Sequence, residues 1–305
     1  MYPLPDPSLR RIGLGCMALT GIYGPVPRET AFNLIHRALD LGVSHFDTAE
    51  IYGPYANEEL LAEALGPNRN AVEIATKFGY RLENGKIAGL DSTPQAIRRS
   101  VEGSLRRLRR SHIDVLYQHR LDPRVPIEDV VGTMSELVRE GKVLALGLCA
   151  IDWKILQRAQ AIHSISFVQN EFSLIQRDPE ELIAHLSELP IHFVCYSPLG
   201  RGILANGALP DSQRVLTDYR RNDLRFGSER LSSIMDRLAP LWQIAASRTV
   251  APATVALAWL LSKTPAIRVI PGAKSEVQLT AALQAGAFGL TNEELASLNL
   301  IVDAP

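Results

Sequence analysis

Eight short runs rich in β-branched and other apolar residues punctuate the chain, and segments of helical period lie between them. The runs are Ile12–Gly15, Val43–Asp47, Val72–Lys77, Ile113–Gln118, Val143–Leu148, Phe167–Asn170, Ile191–Tyr196 and Ile267–Ile270. Helices are predicted over about 28–41, 56–65, 94–109, 127–140, 152–162, 178–188, 229–247 and 252–263, with two more near 274–285 and 292–300. Prolines open several of them, as in STPQAIRRS and RVPIEDVV, and glycines close others, as in LDLGV and REGKV. Strands joined by helices return in the same direction, so all eight should be parallel. Eight such units in 305 residues predict an α/β fold, a closed (β/α)8 TIM barrel with extra helices. The competing arrangement is a doubly wound open sheet. No linker, low-complexity tract or internal repeat divides residues 1–305, which read as a single domain. Two strand-to-helix connections, about 78–93 and 197–228, are long and polar; on a barrel they would lie at the catalytic face.

One short stretch argues for a different fold. GLGCMA, residues 13–18, fits the dinucleotide fingerprint of an open nucleotide-binding sheet, with Gly13, Gly15 and Ala18 in place. Such a loop must open directly into a helix whose N-terminus meets the pyrophosphate. Here LTGIYGPVPRET follows, and the helix starts only near Arg28. The glycines are therefore read as a close-approach strand end of a barrel.

With 46% hydrophobic and 21% charged residues, the chain can bury a large core. A formal net charge of -1 gives no footprint for nucleic acid or an anionic membrane surface. The helix PQAIRRSVEGSLRRLRRSHID carries six arginines, read as a solvated outer face rather than a nucleic-acid patch. No apolar run approaches the roughly 18–20 residues that span a bilayer. MYPLPDPSLRR, at the N-terminus, lacks the apolar stretch of a secretory signal. Cys16, Cys149 and Cys195 are far apart and read as free thiols of a cytoplasmic protein. No HExxH or comparable spacing suggests a metal.

Chemistry concentrates where the strands end. The second run closes on Asp47, with Tyr52 five residues on; the third ends at Lys77 and the fourth at His119. The sixth ends in Gln169 and Asn170, the seventh in Tyr196 and Ser197. Strand ends are where a barrel assembles catalysis. A phenol titrates near 10, too weak an acid to protonate an alkoxide readily at neutral pH. An adjacent ammonium favours the phenolate, and a buried ammonium needs a carboxylate. A neighbouring imidazole can donate to a carbonyl oxygen. Asp47, Tyr52, Lys77 and His119 thus read as a proton donor and clamp for a carbonyl accepting hydride.

These residues carry a family resemblance over about residues 11–300. FDTAEIYG (46–53), ATKFG (75–79), IDVLYQHR (113–120), GKVLALGL (141–148), VQNEFSL (168–174), YSPLGRG (196–202) and IPGAKS (270–275) resemble the aldo-keto reductases. The resemblance implies NADPH-dependent reduction of an aldehyde or ketone, or the reverse oxidation of an alcohol by NADP+, with NADH as the other nucleotide. It implies that Tyr52 is the proton donor, that Lys77 and Asp47 tune it, and that His119 orients the carbonyl. Tyr196 would stack on the nicotinamide and Gln169 would bond its carboxamide. Ser197, Leu199 and Gly200 match the pyrophosphate loop; Gly272, Lys274 and Gln278 match the segment near the adenosine 2′-phosphate. Gly15, Cys16, Met17, Asp47 and Arg201 complete the expected cofactor set. Tyr23, Phe78, Arg120 and Trp153 are the expected substrate pocket.

In three places the chain departs from the family's pattern. GLCAID puts Cys149 and Ala150 where the family has Ser-Asn against the nicotinamide amide. QLTAAL puts Ala281 and Ala282 where Glu-Asn holds the adenine, and the N-terminal hairpin is shortened. The first departure motivates an alternative, a nucleotide-binding sensor or regulatory subunit with little turnover. A phosphate-handling barrel lyase or isomerase is a third reading. No motif specifies oligomeric state or physiological substrate.

Overall fold

The computed structural model describes residues 9–205 and 218–301. Eight parallel strands form one sheet in the order β1 (Leu14–Gly15), β2 (His45–Asp47), β3 (Glu73–Phe78), β6 (Ile113–Gln118), β7 (Val143–Cys149), β8 (Phe167–Glu171), β9 (His192–Tyr196) and β10 (Ile267–Val269). The sheet closes on itself. Ile12 bridges Val269 in parallel, the Gly13 N–H donates to Val269 O at 2.9 Å, and the Val269 N–H donates to Arg11 O at 2.8 Å. This is the (β/α)8 barrel that the alternation predicts.

Around it lie α1 (Arg28–Asp40), α2 (Ala56–Leu65), α3 (Pro94–Leu108), α4 (Ile127–Arg139), α5 (Trp153–Gln160), α6 (Glu180–Leu186), α7 (Ser228–Arg237), α8 (Ala239–Ser247), α9 (Pro252–Lys263), α10 (Glu276–Gln284) and α11 (Asn292–Asn299). The segment predicted as one helix over 229–247 breaks at Leu238, because Pro240 opens α8 and cannot donate to the preceding turn. Among the described residues no single helix is long and apolar enough to cross a membrane. The bent pair α8–α9 comes nearest in composition, and α9 buries Trp259 in the core.

Connection 78–93 is more ordered than a polar loop. It folds as a hairpin of β4 (Tyr80–Glu83) and β5 (Lys86–Leu90), with Glu83 opposite Lys86. The turn is Asn84-Gly85, both at positive φ, the pair that two-residue hairpins favour. Of connection 197–228, residues 206–217 lie outside the described set, as do residues 1–8 of the N-terminal departure.

Side-chain parity decides what faces the bore. On β3, Ile74 and Phe78 join the core between barrel and helices, and Thr76 bonds Glu58 of α2 at 2.7 Å. Ala75 and Lys77, offset by one, point inward, where Ala75 packs with Val115, Tyr117, Phe167, Val194 and Ile270. Each large apolar side chain buried in either layer contributes about 1.5–3 kcal/mol. The opening glycines serve this packing. A Cβ on Gly13 would meet the His45 ring at 2.4 Å, and one on Gly15 would meet Ile270 O at 2.6 Å. After them comes a short 3-10 turn, Cys16–Thr20, and no phosphate-cradling helix.

Candidate active site

Inward parity carries Asp47, Lys77 and Gln169 to the C-terminal mouth of the bore. The Lys77 ammonium donates to Asp47 Oδ1 and, at 2.8 Å, to the Thr48 carbonyl; both members of the ion pair are buried. Gln169 Nε2 donates to the other Asp47 oxygen at 2.8 Å. This aspartate is thus held from both sides. Tyr52 lies above, on the loop after β2, with the Lys77 ammonium 5.3 Å from its ring centre. His119, at the end of β6, packs edge-on between Tyr52 at 5.9 Å and Tyr80 at 5.2 Å.

Burial pushes the Tyr52 phenol well above its ordinary value, and the charge of Asp47 adds to it. That differs from the expectation that Lys77 would pull the phenol down. The ammonium is spent on Asp47 and Thr48, and the counter-charge reaches Tyr52 as well. Burial, then the charges of Lys77 and Arg120, hold the His119 imidazole well below its ordinary value, so it is neutral. Among the described residues its Nδ1 has no partner.

These groups open onto a cavity of about 560 Å³, a size ordinary for cofactor clefts. Asp47, Tyr52 and His119 line it; Lys77 stands behind Asp47. Of the expected cofactor set, Gly15, Met17, Gln169, Tyr196, Ser197, Arg201 and Gly272 also line it. Five others do not. Cys16 is buried with its thiol on Leu14 O at 3.6 Å, and Gly200 is buried against Ile175. Leu199 packs on the core. Lys274 reaches the Tyr23 carbonyl at 2.7 Å from the rim, and its N–H donates to Gln278 Oε1 at 2.8 Å.

Two substrate-pocket expectations need correction. Phe78 has outward parity on β3 and is fully buried in the core between barrel and helices. Trp153 opens α5 and stacks on His185 at 4.7 Å. Tyr23 and Arg120 do line the cavity. The 78–93 connection, expected at the catalytic face, does reach the cavity, and its hairpin brings Tyr80, Gly85 and Ile87, not named individually from the sequence, over it. The Asn84-Gly85 pair was the signal for that hairpin. Asn170, noted as a strand end but given no role, has a side chain that accepts from the Ile151 N–H at 3.1 Å and donates to Ile151 O at 2.8 Å. That clamp holds the turn after β7, where Ala150 sits at φ 55. Ala282 is buried in the core and offers no side chain to an adenine.

A closed parallel barrel, with a buried lysine–aspartate pair and a phenol beside a neutral imidazole at its C-terminal mouth, is the frame of an oxidoreductase acting on carbonyls. The aldo/keto reductase family matches residues 11–303, and the chain belongs to that family. A relative from Glycine max, named Probable aldo-keto reductase 1, is 36% identical over 291 residues, covering 94% of this chain and 84% of its own. Among solved structures, a glycerol dehydrogenase from Gluconobacter oxydans superposes with a TM-score of 0.85 at 28% identity, covering 99% of this chain and 94% of its own. An aldo-keto reductase from Bacillus halodurans, solved in its holo form, gives 0.79 at 26% identity, covering 97% and 93%. Members of the family act on small carbonyl substrates with nicotinamide cofactors.

Proposed function

We propose that this chain is an NADPH-dependent reductase of aldehydes or ketones, working as one domain in the cytoplasm with Tyr52 as proton donor. The observation that carries the reading is the convergence of Tyr52 and His119 on one cavity, with the buried Lys77–Asp47 pair behind the phenol. The fit to a dinucleotide rests on that cavity's extent, from Gly15 and Gly272 to Tyr196 and Gln169, with His119 at its reacting end. Tyr196 would face the nicotinamide ring, Ser197 and Arg201 the pyrophosphate, and Lys274 a 2′-phosphate. A nicotinamide nucleotide held there would supply the hydride for the carbonyl carbon.

What the protein adds is positioning and a proton. His119, neutral, carries one N–H that can donate to the carbonyl oxygen without burying a second charge. As negative charge grows on that oxygen, the Tyr52 hydroxyl gives up its proton, and the product is the alcohol. Lys77, tied to Asp47 and to the Thr48 carbonyl, fixes the wall of the site 5.3 Å from the phenol ring centre. Buried thiols at Cys16, Cys149 and Cys195 suit a reducing compartment.

The test is a fluorescence titration with NADPH and NADH, followed by an activated aromatic aldehyde while absorbance loss is recorded. Tighter NADPH binding with turnover is expected. Cys149 and Ala150, in place of amide partners, favour the sensor reading; tight binding without turnover across many carbonyls would select it. Absence of binding by either nucleotide defeats both.

A further inference from the structure

Arg120 differs from Lys77, Arg201 and Arg220 around the cavity, and stands at the opposite end from Lys274 at the rim. It follows His119 directly at the end of β6 and is half-buried in the cavity wall. Its Nη1 donates to the His119 carbonyl at 2.7 Å and to Cys149 Sγ at 3.3 Å. The guanidinium carbon lies 5.7 Å from the centre of the Tyr196 ring. None of these neighbours is an anion at neutral pH. A carbonyl carries no charge, burial pushes the Cys149 thiol up, and burial pushes the Tyr196 phenol up to about 12.

By contrast, Lys77 is paired with Asp47, Arg201 with Asp223 at 2.7 Å and Glu171 at 3.6 Å, and Arg220 with Asp218 at 2.6 Å. Among the described residues no carboxylate pairs with Arg120, and its Nε and Nη2 bond no protein atom. A half-buried cation without a counter-ion carries a desolvation cost that an incoming anion offsets. The Nε–Nη2 edge is a planar fork matched to two oxygens of a carboxylate or phosphate. A neutral carbonyl ligand would satisfy one N–H and leave the charge.

We propose that Arg120 selects substrates that carry an oxyanion, a carboxylate or a phosphate, beside the carbonyl to be reduced. The proposal rests on the reductase reading above and adds the substrate's charge to it. Position favours substrate over cofactor phosphate. Arg120 stands with His119, Cys149 and Tyr196 at the reacting end, whereas Ser197, Arg201 and Gly272 mark the pyrophosphate side.

The test uses the full chain with NADPH and three benzaldehydes that differ only at the 4-position: methyl, carboxylate and phosphate ester. Wild type should favour an anionic member over the neutral one by about 10- to 100-fold in kcat/KM, mostly through KM. The carboxylate and phosphate arms tell which oxyanion fits. Arg120→Met should bring that ratio near one, and Arg120→Lys should keep part of it, since a point charge remains without the fork. A ratio that survives Arg120→Met overturns the proposal, as does a wild type that prefers the neutral aldehyde. Calorimetry with 4-carboxybenzyl alcohol supplies a readout that needs no turnover. Binding should weaken at least about 10-fold in Arg120→Met, and equal binding overturns the proposal. If no aldehyde is reduced, the reductase reading fails, while calorimetry still decides the role of Arg120.

Discussion

At the N-terminal mouth of the bore, His45 on β2 bonds Glu73 on β3 at 2.6 Å, and Arg268 on β10 reaches the same oxygen at 3.0 Å. At the opposite mouth Lys77 pairs with Asp47, and Gln169 holds that carboxylate's second oxygen at 2.8 Å. Both layers come from inward-facing positions on strands of the barrel. The lower one closes on itself: Glu73 loses solvation through burial, yet the bond from His45 and the charges of His45 and Arg268 pull it down to about 2. The upper pair instead stands under a cavity, with a phenol and a neutral imidazole over it. An ion pair in a barrel therefore supports structure or chemistry according to the space left beside it, not according to its own geometry.

The comparison breaks most sharply at Tyr52. Tyr52→Phe should cost about 10²- to 10⁴-fold in kcat, the usual worth of acid catalysis, and leave the NADPH titration in place. Glu73→Gln in the lower layer should keep kcat within about twofold, since it touches no reacting group. Undiminished turnover in Tyr52→Phe would remove the phenol from the mechanism. Because the phenol sits well above 10, carbonyl reduction should not lose its acid as pH rises to 9, whereas alcohol oxidation, which needs the phenolate, should accelerate over that range.

Next in size is the stability of each layer. Lys77→Met leaves Asp47 buried without its cation, a loss of about 3–5 kcal/mol. Glu73 is 34% exposed at its side chain, so solvent screens its contacts and Glu73→Gln should cost only about 1 kcal/mol. Urea denaturation of both variants compares them directly. Equal losses would mean that the two layers are equivalent supports.

How far these layers were legible in the sequence follows from parity and turns. Strand ends at Asp47, Lys77, His119 and Gln169 could be read because alternation fixes both the barrel and the direction of each side chain. Phe78 and Trp153 were misplaced for the same reason in reverse. One residue of register moves Phe78 from the bore to the outer core, and Trp153 follows the turn after β7 into a helix start. Tyr80, Gly85 and Ile87 depended on a hairpin whose Asn84-Gly85 signal is local, but whose fold over the cavity is tertiary. The lower layer was not legible as a network, since His45, Glu73 and Arg268 meet only once the ring closes between β10 and β1. Nor was the direction of the Tyr52 shift, which burial of the phenol sets first and the Asp47 charge reinforces.

The smallest effects are read by pH, in the lower layer and in the loop beside the upper one. Glu50, in the loop between Asp47 and Tyr52, is 7% exposed; burial pushes its carboxyl up to about 7, partly offset by the bond from Ser100 Oγ at 2.6 Å. A carboxyl whose folded value exceeds its ordinary 4.5 keeps its proton longer in the native state, so stability falls as pH rises from 4.5 to about 7. Glu73 is the reverse: its contribution is present above 4.5 and is lost as pH falls towards about 2. Glu50→Gln should therefore stabilise the protein at pH 8 by about 1–3 kcal/mol, a few degrees in Tm, and do little at pH 4. Glu73→Gln should destabilise it at pH 7 and lose that penalty as acid protonates the wild-type carboxyl. Melting curves at four pH values measure both. A Glu50→Gln gain that is the same at pH 4 and pH 8 would show that packing, not a buried charge beside the Tyr52 loop, sets the difference.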